Sequence, residues 1–250
     1  MIFKSQEAFK TEQFLNRKTE TLIPIGVDFN GDFIFEDLKD LKSIVMVGMT
    51  GSGKSIFNHC LINSLLKQRG VKSLFLADCK RVELSVYQDL DCLFGKIYGK
   101  TENIRQQLEF LETELELRFL KTKNKMNLDF NDSKIVLVIE EFSDIMVTGD
   151  NYFNKTLAKI AQEGPDLNIF PIICTSRPSI GIITKEIRES FNTKIAFTTV
   201  NEVDSKSIGI TGAEKLSMNG DMLFKKRNEA IKRLQGFYIN DKEIGQNIKQ

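Results

Sequence analysis

The chain has 250 residues, enough for one or two domains and for a core that buries most of what the unfolded chain exposes. Hydrophobic residues at 41% and charged residues at 28% exclude a disordered chain and a disulfide miniprotein. The 35 basic and 34 acidic residues leave a net charge of +1. That excludes a whole-surface basic field, so any hold on nucleic acid must come from local patches. The longest apolar runs, such as Ile135–Ile139, fall far short of the ~18–20 residues that span a bilayer. The first ten residues lack the apolar stretch of a signal peptide, so a cytoplasmic location is expected.

In chain order, residues 1–20 are polar and mixed, an N-terminal arm or helix. Residues 21–250 read as one domain, without repeats or linkers. Ile23–Val27 and Phe33–Phe35 flank Asn30-Gly31, which predicts a β-hairpin. Ser43–Val47 is a short apolar run ending in glycine, suited to a strand buried on both faces. A helix follows with Phe57, Leu61, Leu65 and Leu66 on one face. Strand-like runs recur at Leu74–Ala77, Ile135–Ile139, Ile169–Cys174 and Ile195–Thr199, with helical stretches between them. That alternation predicts an α/β fold, a mostly parallel sheet flanked by helices. The longest helix is expected from Thr101, as its cap, to about Lys125, with Ile104, Leu108, Leu111, Leu115 and Phe119 as its core stripe. Two further strands, 221–224 and 233–239, predict a small antiparallel C-terminal edge, and Asp241 starts a terminal helix. The cysteines Cys60, Cys79, Cys92 and Cys174 lack metal-site spacing and read as small buried hydrophobes.

The sharpest signal is Gly48-Met49-Thr50-Gly51-Ser52-Gly53-Lys54-Ser55, with Ile56 opening the next helix. It fits GxxxxGK[ST] and has the required strand before and helix after. Glycines let the backbone fold around phosphate with its N–H groups inward, and the helix N-terminus adds positive potential. Lys54 is expected to reach the β- and γ-phosphates, and the Ser55 hydroxyl to hold Mg²⁺. The second signal is an apolar strand ending in Glu140-Glu141, expected next to the strand that leads into this loop. The first carboxylate is expected to serve Mg²⁺, and the second to polarise the water that attacks the γ-phosphate. Two acids opening a helix for dipole reasons is the bland alternative. A GTPase would carry NKxD; the nearest string, Asn124-Lys125-Met126-Asn127, ends in Asn. An oligomeric ATPase motor is left as the leading class.

Further strings carry a resemblance. Asp78-Cys79-Lys80-Arg81-Val82-Glu83-Leu84 through Tyr87, Glu140-Glu141-Phe142-Ser143-Asp144-Ile145-Met146, Thr175-Ser176-Arg177-Pro178, Asp204-Ser205, Gly212–Leu216 and Gly220–Leu223 resemble, in order, motifs of the FtsK/SpoIIIE family of DNA translocases. The resemblance implies a RecA-like P-loop NTPase that binds ATP and Mg²⁺ between subunits of a homohexameric ring and pumps double-stranded DNA through the channel. The size suits a mobile-element relative (plasmid, phage or conjugative), with a recruiting protein as a further partner. The chain departs from the family's pattern at Glu140 for Asp, Ser176 for Gln, Cys79 for Pro and Lys206 for Arg, and carries Pro165 where relatives often have Arg. Lysine cannot copy a bidentate arginine on phosphate. The arginine reaching a neighbour's ATP is therefore sought at Arg177 or Arg188. Arg81 and Glu83 serve either the subunit interface or the site. The basic residues Lys225, Lys226, Arg227, Lys232 and Arg233, and the pair Lys185 and Arg188, are the DNA-facing candidates, with a solvated hairpin tip as the bland alternative for the first group. Two other functions fit the same motifs: a conjugation or secretion coupling ATPase, and a non-motor ATP-binding assembly or replication accessory protein with weakened hydrolysis.

Overall fold

The computed structural model describes residues 3–124, 133–148, 151–179 and 181–248. Two short helices, α1 (Ser5–Phe9) and α2 (Glu12–Leu15), precede the hairpin strands β1 (Leu22–Val27) and β2 (Phe33–Asp37). The single turn α3 (Leu38–Leu41) leads into β3 (Ile44–Val47) and then α4 (Lys54–Gln68). There follow β4 (Ser73–Asp78), α5 (Thr101–Lys123), β5 (Ile135–Glu140), α6 (Phe142–Thr148) and α7 (Asn151–Glu163). The chain continues through β6 (Ile169–Thr175), α8 (Lys185–Ser190), β7 (Thr193–Phe197) and α9 (Glu202–Ser207). It closes with β8 (Asp221–Lys226), β9 (Lys232–Gly236) and α10 (Asp241–Ile248). No helix among the described residues is long and apolar enough to cross a membrane.

The nine strands of the described residues form one sheet in the order β2-β1-β9-β8-β7-β3-β6-β5-β4. The stretch β7-β3-β6-β5-β4 is parallel, as the alternation of strands and helices predicts. Its strands are buried on both faces, which is why they read as unbroken apolar runs. One face carries α4 and α10 over Ile44, Met46, Val136, Val138 and Ile172; the other carries α5 and α7 over Val45, Val47, Phe75, Leu137 and Ile173.

Four details differ from the sequence expectations. First, β5 does not lie next to β3; β6 is inserted between them. Local pattern fixes that a strand forms, not its lateral place. Second, the antiparallel strands β8 and β9 are not an edge, because β9 also pairs with β1 and the N-terminal hairpin becomes the border. The hairpin loop spans residues 28–32, and the Asp28 carboxylate accepts from the N–H groups of Asn30 and Asp32. Third, Lys100 takes the cap position of α5, and its stripe runs Ile104, Leu108, Leu111, Leu115 and then Arg118. Phe119 is 58% exposed. A 3.6-residue period turns 118, not 119, onto the sheet. The Arg118 guanidinium is satisfied there by Glu114 Oε1 at 2.7 Å and by the carbonyls of Ser133 and Leu167. Fourth, Cys79 and Cys92 are only half-buried, whereas Cys60 and Cys174 are buried. Residues 125–127 of the Asn124–Asn127 string lie outside the described residues.

Candidate active site

The loop between β3 and α4 wraps the C-terminal end of β3. Gly53 caps α4 at φ 116°, and a Cβ there would lie 2.8 Å from the Cα of Gly220. Only glycine meets both demands. Gly48 is equally confined, since a Cβ would stand 2.7 Å from the Cβ of Phe197. The first backbone bond of α4 runs from Phe57 N–H to Gly53 O, so the N–H groups of Lys54, Ser55 and Ile56 face off the helix end. Lys54 is buried, and its ammonium donates to Gly48 O at 2.6 Å and Met49 O at 3.2 Å, cross-bracing the loop.

This loop opens into a pocket of about 870 Å³. Thr50, Gly51, Gly53, Lys54, Ser55 and Ile56 line it, whereas Gly48, Met49 and Ser52 form the back of the turn. Both acids reach it from the end of β5. Glu140 accepts from Ser55 Oγ at 3.2 Å through Oε1, and from Asn58 Nδ2 at 2.5 Å and the Cys174 thiol at 2.9 Å through Oε2. Burial pushes its carboxyl above the ordinary value, against those hydrogen bonds and the Lys54 charge.

Glu141 sits at φ 56°, a left-handed conformation that a non-glycine residue adopts only when its surroundings hold it. They do: Oε1 accepts from Ser143 Oγ at 2.6 Å, Thr175 Oγ1 at 2.8 Å and Ser176 N–H at 3.0 Å. Oε2 accepts from Ser176 Oγ at 2.5 Å, and the Lys80 ammonium stands 3.7 Å away. Burial alone would raise its pKa, but the donors from Ser143, Ser176 and Thr175 outweigh it and bring it to about 2. Among the described residues four hydrogen bonds are made, three on Oε1 and one on Oε2; Lys80, at 3.7 Å, forms an ion pair and not a fifth hydrogen bond. Oε2 is therefore the oxygen with a lone-pair site left for a water, beside the exposed Lys80 ammonium.

Several lining residues carried no site role in the sequence reading. Asp78 accepts from the N–H groups of Lys80, Arg81 and Leu84, and so folds the following turn to bring Lys80 and Glu83 to the pocket. Arg81, at φ 53°, is exposed and does not line it. The loop Ser217–Gly220 and the end of β9, through Phe237 and Tyr238, form the opposite wall. Gly220 N–H donates to Ser52 O at 2.8 Å, tying that wall to the phosphate loop. Asn219-Gly220 was the available signal, since both residues take positive φ.

Arg177 is exposed and does not line its own chain's pocket. Arg188, on α8, belongs to a separate basic cluster with Lys194, Lys225 and Arg227. Lys194 and Lys225 are register partners on β7 and β8. Burial, then the charges of Lys225, Arg188 and Arg227, lower the Lys194 pKa to about 8. Two of the five bases in the 225–233 string are neutralised instead: Lys226 by Glu36 at 2.8 Å and Glu229 at 3.1 Å, and Arg233 by Asp221 at 2.6 Å. Lys185 stands 3.8 Å from Glu189.

The pocket fits a magnesium nucleotide. The N–H groups of Lys54, Ser55 and Ile56, left open at the end of α4 beside the Lys54 ammonium, suit a polyanionic guest. Among the described residues no group of three or more His, Cys, Asp or Glu side chains is arranged to hold a metal ion by itself. One carboxylate and one hydroxyl are nevertheless what Mg²⁺ takes from protein when phosphates and water supply the rest.

The chain is 32% identical to the DNA translocase FtsK of Clostridium acetobutylicum over 95% of its length, and 29% identical to the DNA translocase SftA of Bacillus subtilis over 96%. It spans 34% and 27% of those proteins, about a third of the curated relatives it matches. Among solved structures, the pCW3 conjugation coupling protein TcpA, in its monomer form with ATPγS, superposes with a TM-score of 0.83 at 20% identity, over 99% of this chain and 73% of that one. The cytoplasmic domain of the type VII secretion ATPase EccC of Thermomonospora curvata gives 0.78 at 17% identity, over 100% of this chain and 34% of that one. These likenesses show a shared fold over nearly the whole chain. Residues 6–134, which include the phosphate loop and the Asp78–Tyr87 string, match the FtsK/SpoIIIE family model, and the chain belongs to that family.

Proposed function

We propose that this chain is an ATP-hydrolysing motor domain that drives double-stranded DNA through a ring of its own copies, six in number, in the cytoplasm and in the service of a mobile element. The observation that carries the reading is the convergence of Lys54, Ser55, Glu140 and Glu141 on one pocket, although β3 and β5 are separated by another strand. Lys54 and the open N–H groups of the loop hold the phosphates. Ser55 and Glu140 hold Mg²⁺, which when bound neutralises charge developing on the β- and γ-phosphate oxygens. Glu141 orients the attacking water. With a pKa of about 2 it stays ionised and is a weak proton acceptor that can still accept a hydrogen bond from water. That suits phosphoryl transfer, where positioning outweighs base catalysis. Arg177, exposed and apart from its own pocket, is free to reach a neighbour's nucleotide.

The basic cluster Arg188, Lys194, Lys225 and Arg227 is the proposed DNA contact. Four cations at close quarters repel one another, which adds to burial in depressing the Lys194 pKa. A row of phosphates relieves that repulsion and demands no base sequence. The test is the ATPase rate with and without long duplex DNA, at low salt, for wild type and Glu141→Gln. The reading requires DNA stimulation that the variant abolishes while nucleotide binding persists. Turnover indifferent to DNA overturns it.

A further inference from the structure

The insertion of β6 sets a problem for the site. Glu140 must serve a cation held at the end of β3, one strand away. The parallel registers pair Met46 with Cys174 on one side and Ile139 with Ile173 on the other. Cys174 is therefore the β6 residue that stands between the loop strand and Glu140. Its thiol donates to Glu140 Oε2 at 2.9 Å, and Asn58 Nδ2 reaches the same oxygen at 2.5 Å. Asn58 and Cys174 also touch each other, Nδ2 to Sγ at 3.5 Å. Each is 1% exposed, and neither lines the pocket. Among the described residues Ser55 alone engages Oε1.

We propose that Cys174 and Asn58 are positioning residues that hold Glu140 by Oε2, so that it meets the magnesium ion through Oε1 alone, beside the Ser55 hydroxyl. The inference rests on the ATPase reading above. A glutamate has one more rotatable bond than an aspartate, and across an intervening strand that freedom must be removed for one oxygen to present itself. Two donors on the other oxygen remove it. Partners that orient a metal-binding carboxylate typically change metal affinity 10–100-fold when lost. Cys174 and Asn58 do not reach the phosphate loop, so nucleotide affinity without metal stays the same.

The experiment uses the full chain with ATPγS and reads Mn²⁺ binding by electron paramagnetic resonance, alongside ATPγS affinity in EDTA. Wild type is compared with Cys174→Ala, Asn58→Ala and Cys174→Ser. The alanine variants are expected to bind Mn²⁺ about tenfold more weakly with unchanged metal-free nucleotide affinity. Cys174→Ser retains a donor and is expected to stay near wild type. Should Cys174→Ala unfold, Cys174→Val fills the space without a donor and takes its place. Wild-type Mn²⁺ affinity in both alanine variants, or a serine variant as weak as the alanine one, overturns the proposal. A wild-type chain that binds ATPγS in neither condition overturns the ATPase reading itself, and the proposal with it.

Discussion

His59 is the chain's one histidine, and it lies in the middle of α4, the helix that carries the phosphate loop. It is 7% exposed. Asn63 Nδ2 donates to the Tyr87 hydroxyl at 2.8 Å, and that hydroxyl shares a hydrogen bond with His59 Nδ1, also at 2.8 Å. Burial lowers the imidazole pKa to about 4, with the Asp241 charge on α10 opposing part of the effect. The unfolded chain, at 6.5, takes up the proton first. This contribution to stability is therefore complete above pH 6.5 and is lost as pH falls toward 4. From those two values, roughly 2 kcal/mol is gone at pH 5 and about 3 kcal/mol at pH 4. His59→Gln removes the titrating ring and keeps an acceptor for Tyr87. Urea unfolding at pH 7.5 and pH 5 should show the wild type losing about 2 kcal/mol more than the variant across that interval. The carboxylates titrate alike in both proteins, so the difference isolates the histidine. If the two proteins lose stability in parallel, the buried neutral imidazole is not what links α4 to acid sensitivity.

Ser176→Ala removes a short donor to Glu141, so the carboxylate should hold its proton to higher pH. Urea unfolding at pH 7 should show the variant roughly 1–1.5 kcal/mol less stable, because part of the stabilisation of the ionised carboxylate is gone, and an unchanged stability refutes the clamp. Gly53→Ala forces a side chain into φ 116° against Gly220. The backbone alone costs about 1–2 kcal/mol; calorimetry should also show ATPγS binding lost, and a variant that binds normally contradicts the tight loop. Lys194 gives the DNA contact a pH signature. With its pKa at about 8, duplex affinity should fall roughly tenfold between pH 7 and 9 as one charge-assisted contact goes. Lys194→Arg should flatten that dependence in fluorescence anisotropy, and an equally steep arginine variant removes Lys194 from the interface.

The parallel half of the sheet was legible because each of its strands is an apolar run between helical periods, and the phosphate loop because its glycines have no substitute. Strand order was not legible. Nothing local in Ile169–Thr175 says that it slips between β3 and β5, yet that placement puts Cys174 against Glu140 and Ser176 on Glu141. Cys174 reads in sequence as a small hydrophobe, and burial bears that out while its hydrogen bond adds a role. Phe119 looked like core because it is apolar; helix geometry gave the place to Arg118, whose guanidinium caps backbone carbonyls that no apolar residue could satisfy. The Ser217–Gly220 wall depends on β8 and β9 meeting the phosphate loop across most of the chain, beyond the reach of any local pattern.

The partnership of β1 with β9 also sets a timetable for biogenesis. Gly26 finds its register partner in Gly236, and Lys4 bridges Tyr238. The hairpin therefore leaves the ribosome roughly 200 residues ahead of that neighbour, an interval of about 10–40 s at ordinary translation speeds. Until then an isolated two-stranded ribbon has little stability of its own, and its open flank is a place where a nascent chain is exposed to mispairing.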